Sequence, residues 1–129
     1  MSASREDYIR YKMQRSNEVF DDALLLAANG RWNSAMNRLY YSSFYLVSAL
    51  LYKHRIKAET HNGTKTSFFF HFVKNEMVER EFGKLYANLL DWCQESDYAD
   101  FAEFDEETIN VLLERVKQFN NTISRLLDE

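Results

Sequence analysis

The sequence predicts an all-α protein: an up-and-down bundle of about five helices in a single domain spanning residues 1–129. The chain contains no proline, so no residue forces a helix to break. Hydrophobic residues make up 46% of the chain, which is enough for one buried core. They recur at helical spacing in five segments joined by short connections, and no segment shows a strand signal. Short connections favour antiparallel neighbours, as in an up-and-down bundle.

The first two helices are predicted on either side of Gly30, which is a typical C-terminal stop. Ser4 is a candidate N-cap of the first helix. The apolar face of that helix comprises Ile9, Met13, Phe20, Leu24 and Ala27. The second helix is predicted from about residue 32 to about residue 54. Its residues 39–52 carry no charge and are apolar on nearly every side, so we expect this helix at the centre of the bundle.

The third helix is predicted after a loop of residues 55–63 that ends in an Asn-Gly turn signal. Thr64 is its candidate N-cap. Its apolar residues are Phe68, Phe69, Phe70, Phe72, Val73 and Met77. The fourth helix is predicted from about Glu79, and its apolar side contains Phe82, Leu85, Tyr86, Leu89 and Trp92.

The last part of the chain is predicted to contain an ordered loop and a fifth helix. The loop covers residues 95–104 and is expected to be held in place by its aromatic side chains. Asp105 is the candidate N-cap of the fifth helix. The apolar stripe of this helix comprises Ile109, Leu112, Val116, Phe119, Ile123 and Leu126.

The net charge of −4 is unevenly distributed along the chain. Residues 1–74 carry 11 Lys and Arg against 6 Asp and Glu, whereas residues 75–129 carry 5 against 14. A nucleic-acid-binding protein driven by bulk charge would be basic overall, so this chain could bind nucleic acid only through a local basic face. Attraction between the two halves, within the fold or between subunits, explains the asymmetry equally well.

The sequence favours a cytoplasmic protein without a membrane segment. The N-terminal residues are polar and lack the apolar core of a signal peptide. The longest nearly uncharged stretch, residues 39–52, is too short to span a bilayer. Cys93 is the only cysteine, so the chain cannot form an internal disulfide, which fits a reducing compartment.

Several catalytic classes lack their sequence motifs. The chain contains neither the Glu-x-x-His motif of di-iron bundles nor the ligand spacing of a zinc site. It also contains no Gly-rich phosphate loop and no nucleophile elbow. We therefore expect no metal and no cofactor.

Two polar clusters remain as candidate sites. The first lies on the central helix and comprises Asn37, Arg38, Tyr40 and Tyr41. The second lies in the loop and its flanks and comprises Lys53, His54, Arg55, Lys57, His61, Lys65, His71 and Lys74. Histidine moves protons near neutral pH, and arginine grips a phosphate with two hydrogen bonds. Together they suffice for metal-free RNA cleavage, with proton transfer at the 2′-hydroxyl and charge stabilisation at phosphorus.

Each cluster also has a structural interpretation. The basic loop is more simply interpreted as a solvated turn. The guanidinium of Arg38 is equally well read as the partner of an internal acid such as Asp97.

The order and spacing of short motifs resemble the small stand-alone HEPN-domain proteins of bacteria and archaea. The matching motifs are Ala-x-Asn-Arg-x-Tyr-Tyr at residues 35–41, Phe44, Thr60-His61-x-Gly63, Phe72-Val73-Lys74, and Asp97-Tyr98 with Asp100-Phe101. The resemblance covers most of the chain. It implies an all-α bundle, usually a homodimer, that often acts with a small nucleotidyltransferase as a toxin–antitoxin or stress-response pair. Many HEPN proteins are metal-independent endoribonucleases with an Arg, four to six intervening residues and a His.

This sequence departs from the ribonuclease motif of the family it resembles. After Arg38, the motif would place a His at residues 43–45, where the chain has Ser, Phe and Tyr. Arg55 and His61 have five residues between them, but they lie in a predicted loop. Relatives tend to have an Arg where this chain has Cys93, and the loss of that Arg weakens the case for an active site.

Our leading hypothesis is a HEPN module without catalytic activity that binds RNA, a nucleotide or a small nucleotidyltransferase partner. Its ligand-binding residues are expected to be Asn37, Arg38, Tyr41, Lys53, Arg55, His61, Asp97 and Tyr98. One alternative is a metal-independent endoribonuclease toxin that uses Arg38 and His61 as its catalytic pair, or Arg55 in place of Arg38. A second alternative is a purely structural dimerisation module.

Overall fold

The computed structural model describes the backbone of residues 4–98 and 103–129, and the side chains of residues 4–95 and 103–129. Within these ranges the chain forms five α-helices and no strand. The helices are α1 (Arg5–Ala28), α2 (Trp32–Lys53), α3 (His61–Phe68), α4 (Arg80–Tyr98) and α5 (Glu106–Asp128). One π-helical turn, Phe69–Val73, continues α3. The predicted all-α bundle is confirmed.

The central helix of the bundle is α2, as predicted. Helix α1 packs along it, and α3, α4 and α5 all contact it. Its fully buried side chains include Ala35, Met36, Leu39, Tyr40, Val47, Ala49 and Leu50. Burying each large apolar side chain stabilises the fold by about 1.5–3 kcal/mol, so the buried side chains of α2 contribute strongly to the stability of the core.

Buried hydroxyl and amide groups fix α2 against two other helices. The hydroxyl of Ser16 in α1 donates to the carbonyl of Ser42 in α2 at 2.7 Å. The Ser43 hydroxyl donates to Oδ1 of Asn120 in α5 at 2.9 Å, and the Asn120 amide nitrogen donates to the Ser42 hydroxyl at 3.1 Å. Because these polar groups satisfy one another, they set the relative positions of α1, α2 and α5 at little desolvation cost.

The start of α3 differs from the prediction, because the N-cap is Thr60 and not Thr64. The hydroxyl of Thr60 accepts a hydrogen bond from the backbone nitrogen of Gly63 at 2.9 Å. Thr64 is buried in the first turn, and its hydroxyl donates to the Thr60 carbonyl at 2.8 Å. The predicted loop of residues 55–63 was therefore too long. The packing of His61 against α2 overrides the weak local preference of Asn-Gly for a turn.

Three further predictions of segment or side-chain position were wrong. Helix α4 continues through residues 95–98, which were expected to belong to a loop. Met77 lies beyond the π-helical turn and is exposed, because the chain leaves the helix at residue 74. Leu24 is exposed, whereas Ala23 is buried. Leu126 packs against the core as predicted but is half-buried, and Leu127 beside it is buried. The buried positions follow a spacing of four residues, from Ala23 to Ala27 and from Ile123 to Leu127.

In the part of the chain with described coordinates, none of the helices combines the length and apolarity required to cross a bilayer.

Candidate functional site

A short hydrogen bond joins Tyr40 of α2 to His61 at the start of α3. The Tyr40 hydroxyl lies 2.6 Å from Nδ1 of the imidazole. Burial raises the pKa of Tyr40 well above the ordinary tyrosine value, and an interaction with Tyr86 offsets part of this rise. The phenol is therefore protonated at neutral pH. It donates to Nδ1 when the imidazole carries its proton on Nε2, and it accepts from Nδ1–H in the other tautomer or in the imidazolium ion.

Aromatic rings on α2 hold the imidazole of His61 in place. Its ring centroid lies 4.6 Å from that of Phe44, 5.5 Å from that of Tyr40 and 5.8 Å from that of Tyr41. Tyr40 and Tyr41 precede Phe44 by four and three positions, so both rings are neighbours of the Phe44 ring on the helix surface. The N-cap at Thr60 sets where α3 begins and so brings the imidazole to these rings. His61 is half-buried, so part of its side chain remains accessible.

Asn37 and Arg38 lie one turn closer to the N-terminus of α2. The Asn37 amide nitrogen donates to Sγ of Cys93 at 3.6 Å and so links α2 to α4. Its Oδ1 accepts from Nη1 of Arg38 at 3.4 Å. Arg38 is exposed and forms no ion pair with any carboxylate whose position is described. Arg38 and Tyr41 are three positions apart, so their side chains leave α2 on the same side, one turn apart.

These contacts define one region of the surface, which we call the Arg38–His61 region. It comprises Asn37, Arg38, Tyr40, Tyr41, Phe44 and His61. Four of the predicted ligand-binding residues therefore belong to one part of the surface: Asn37, Arg38 and Tyr41 on α2, and His61, whose ring contacts that of Tyr41. The region contains a cation that can bind a phosphate and aromatic rings that can stack on a base. It also contains an imidazole that can donate a proton to a ligand hydroxyl group or accept one from it.

Lys53 and Arg55 were predicted in the same site, but the structure places them elsewhere. At 1.5 Å per residue, Lys53 lies about 22 Å from Arg38 along α2. Its ammonium group caps the C-terminus of α5 through three backbone carbonyls. They belong to Leu126, Leu127 and Glu129, at 3.2, 3.0 and 2.6 Å. Arg55 is exposed beyond the end of α2, with a φ of 59°, and shares no helix with His61.

Asp97 and Tyr98 form the backbone end of α4, but their side chains lie outside the described residues. Their role in ligand binding stays a prediction, and so does an ion pair between Arg38 and Asp97. Elsewhere, among residues 4–95 and 103–129, no three His, Cys, Asp or Glu side chains are grouped as metal ligands.

Tyr40 belongs to the region, although the sequence analysis placed it only in the first polar cluster and not among the expected ligand-binding residues. The contact between Tyr40 and His61 joins residues 21 positions apart, so no local pattern reveals it. The available signal was the spacing of four residues between Tyr40 and Phe44, which puts both rings on one side of α2.

Comparison with known proteins gives the family. The sequence model of the HEPN domain matches residues 9–126 of the 129. The chain belongs to the HEPN domain family. The resemblance inferred from the motifs is therefore confirmed.

Relatives of this HEPN protein align over most of its length. A UPF0332 protein of Thermotoga maritima is 36% identical over 125 residues, which cover 97% of this chain and 95% of the relative. Two proteins of Methanocaldococcus jannaschii carry the names "Putative toxin MJ0142" and "Putative toxin MJ0605". The first is 28% identical, and the alignment covers 92% of this chain and 85% of the relative. The second is 25% identical, and the alignment covers 100% of this chain and 98% of the relative.

Proposed function

We propose that this HEPN protein is a cytoplasmic module that binds RNA or nucleotides through the Arg38–His61 region. The observation that carries the proposal is the exposed side chain of Arg38, three positions before Tyr41 on the same side of α2. A guanidinium can bind phosphate oxygens with two parallel hydrogen bonds, and an aromatic ring offers a stacking surface to an unpaired base. The two features lie one helical turn apart, which suits a ligand that carries both groups.

We further propose that the protein acts as a homodimer in a toxin–antitoxin or stress-response pair with a small nucleotidyltransferase. Membership of the HEPN family supports this assignment, and so do two relatives, aligned over most of their length, that carry the name of putative toxins. Co-purification from the native host, followed by mass spectrometry, tests it. Recovery of a nucleotidyltransferase in stoichiometric amounts is the expected result, and purification of the protein alone from a host that expresses such an enzyme contradicts it.

Binding is tested by fluorescence anisotropy with a labelled single-stranded RNA and, separately, with a labelled nucleotide. Replacing Arg38 by Ala should weaken binding by about tenfold or more, because charge-assisted hydrogen bonds contribute about 1.5–3 kcal/mol each. Arg38→Lys should recover little of this loss, because an ammonium group cannot form the two parallel bonds. Arg80→Ala is the matched control, because Arg80 is exposed at the other end of α4 from Cys93. Equal affinity of Arg38→Ala and the unsubstituted protein refutes the proposal.

A second candidate function is metal-independent endoribonuclease activity with Arg38 and His61. The observation that favours it is the distance of 4.6 Å between the rings of His61 and Phe44. Phe44 occupies one of the three positions, 43–45, at which a His on α2 would complete the family motif. A histidine from α3 therefore reaches the place that the motif assigns to a histidine from α2.

The reaction would be an attack of the RNA 2′-oxygen on the adjacent phosphorus with loss of the 5′-oxygen. With its proton on Nδ1 facing Tyr40, the imidazole has a free Nε2 that can take the 2′-hydroxyl proton. The guanidinium of Arg38 would stabilise the negative charge that develops on the phosphoryl oxygens. The bond between phosphorus and the 5′-oxygen breaks, and that oxygen takes a proton from water, so the products are a 2′,3′-cyclic phosphate and a 5′-hydroxyl end.

One assay separates the two functions. Purified protein is incubated with RNA in the presence of a chelator, and the ends of any fragments are analysed. Cleavage that His61→Ala abolishes, together with growth arrest that the same substitution relieves, supports the nuclease. Binding without cleavage supports the binding module, and dimerisation without binding of RNA or nucleotide supports a purely structural role.

A further inference from the structure

Cationic and aromatic side chains follow one another along the seam where α1 packs against α2. The guanidinium carbon of Arg5 lies 4.2 Å from the centroid of the Tyr52 ring, and the Tyr52 and Tyr8 rings are 4.4 Å apart. The ammonium nitrogen of Lys12 lies 5.3 Å from the Tyr8 centroid. At this distance a cation is attracted by the negative face of the ring.

The same pattern continues along the seam toward the N-terminus of α2. Lys12 also lies 5.1 Å from the centroid of Tyr45, whose ring is 5.7 Å from the guanidinium carbon of Arg15. We call this set the basic–aromatic seam. It comprises Arg5, Tyr8, Lys12 and Arg15 of α1 with Tyr45 and Tyr52 of α2.

Helical spacing makes the seam continuous with the Arg38–His61 region. Tyr45 lies seven positions after Arg38, on the same side of α2, and its ring centroid is 6.5 Å from that of Tyr41. At 1.5 Å per residue, the distance from Arg38 to Tyr52 is about 21 Å. This length accommodates about six stacked nucleotides at 3.4 Å per phosphate.

Most of the positive charge on the seam is not neutralised by a carboxylate. Arg15 pairs with Glu18 at 2.7 Å. Arg5 and Lys12 form no ion pair in the described part of the chain. A local basic face is what an acidic protein requires if it is to bind nucleic acid, and the seam lies in the basic half of the sequence.

We propose that the basic–aromatic seam is the binding track for the single strand of an RNA ligand whose end or reactive phosphate lies in the Arg38–His61 region. This inference rests on the proposed function, because it names the surface that holds the rest of the ligand. Single-stranded nucleic acids are bound by grooves in which cations follow the backbone and aromatic rings stack on bases. A duplex would present its phosphates but no unpaired base to the tyrosines.

Charge argues against a second copy of the chain as the occupant of the seam. A two-fold dimer interface brings the same patch of both subunits together. The Arg5, Lys12 and Arg15 side chains of both copies would then face one another, and juxtaposed like charges are unfavourable. A polyanion meets the same surface with complementary charge.

The test uses fluorescence anisotropy of the full chain with labelled RNA oligonucleotides of about two to about twelve nucleotides. Affinity should rise with length until the track is filled at about six nucleotides and then level off. Lys12→Ala should reduce the slope of log K against log salt by about 0.7, the value expected for one phosphate contact on a single strand. Tyr45→Leu should weaken binding about tenfold, and Tyr45→Phe should retain it because the ring can still stack.

Lys117→Ala is the control for the loss of one positive charge. Lys117 is exposed on α5, which packs against the opposite side of α2 through Ser43. This variant should keep the salt slope of the unsubstituted protein. Circular dichroism and thermal melting of each variant show that the fold is intact.

The outcomes separate this inference from the function on which it rests. RNA binding that depends on Arg38 but is unchanged in Lys12→Ala and Tyr45→Leu refutes the track and leaves the proposed function standing. Failure of the unsubstituted protein to bind any oligonucleotide refutes the track, and failure to bind the labelled nucleotide as well refutes the proposed function. Seam variants that change the sedimentation coefficient without changing RNA affinity identify the seam as a protein interface, and this result also refutes the track.

Discussion

Replacing Tyr40 by Phe removes one oxygen atom and tests whether that oxygen positions His61. The hydroxyl is the hydrogen-bond partner of Nδ1 at 2.6 Å, and the Tyr40 side chain is only 1% exposed. A phenylalanine ring fits the same space, so packing should be preserved. The imidazole is half-buried, and water can replace part of the lost hydrogen bond.

The expected loss of stability is therefore about 1 kcal/mol, near the ordinary net value of an intramolecular hydrogen bond. For a chain of 129 residues this corresponds to a decrease of about 4 °C in the melting temperature. The imidazole should also lose its preferred tautomer. Nitrogen chemical shifts of His61, recorded at about pH 8.5 where ordinary histidines are neutral, should move toward those of a free imidazole.

Tyr86→Phe is the matched control for this substitution. Tyr86 is also fully buried, but its hydroxyl has no hydrogen-bond partner of acceptable geometry in the described residues, although it influences the pKa of Tyr40. Deleting that hydroxyl should leave stability unchanged or raise it by up to about 1 kcal/mol. If Tyr40→Phe is as stable as Tyr86→Phe and the His61 shifts do not change, the hydroxyl of Tyr40 does not orient the imidazole.

Three more predictions concern stability and are measured by urea denaturation. Lys53→Met should lower the free energy of unfolding by about 1 kcal/mol, because it removes the C-terminal cap of α5. It should leave RNA affinity unchanged, and a loss of affinity would show that Lys53 belongs to the binding site. Asn120→Ala should cost about 1–3 kcal/mol, because it leaves the buried Ser43 hydroxyl without its acceptor, and an unchanged midpoint would contradict this. Burial raises the pKa of Tyr40 and of Tyr86 in the folded state above the value of about 10 for an unfolded chain. The contribution of the two protonated hydroxyl groups to the free energy of unfolding is therefore complete below about pH 10 and is lost progressively as the pH rises above it. Stability should fall by about 1.4 kcal/mol per pH unit for each of the two tyrosines, and a Phe at either position should reduce the slope.

The sequence predicted those parts of the fold that depend on composition along one helix. The central position of α2 follows from its long uncharged segment. The N-cap at Asp105 follows from the position of this acid directly before the last helix, and its side chain accepts a hydrogen bond from the Thr108 backbone nitrogen at 2.8 Å. The N-cap of α3 could not be predicted in the same way, because Thr60 and Thr64 are chemically identical candidates. The choice between them depends on where His61 meets Phe44, which is a tertiary contact.

The difference between features within one helix and contacts between helices also explains which parts of the candidate site were predictable. Asn37, Arg38 and Tyr41 lie within one helical turn, so the sequence alone could group them. The position of Lys53 could not be inferred from its charge, because a lysine at the end of one helix can equally cap the end of another, and here the carbonyls that it caps belong to the last residues of the chain.

His61 shows why an expected motif can fail in sequence and still be relevant in space. The family motif assigns a histidine to a position on the same helix as the arginine, and the residues of α2 exclude it. A connection of seven residues, 54–60, returns the chain along α2 and brings an imidazole from α3 to Phe44. What the chemistry requires is a proton acceptor beside a guanidinium, and two different connections of the chain can supply that pair. Cleavage of RNA that is lost in His61→Ala and retained in His71→Ala would show that this second connection is functional.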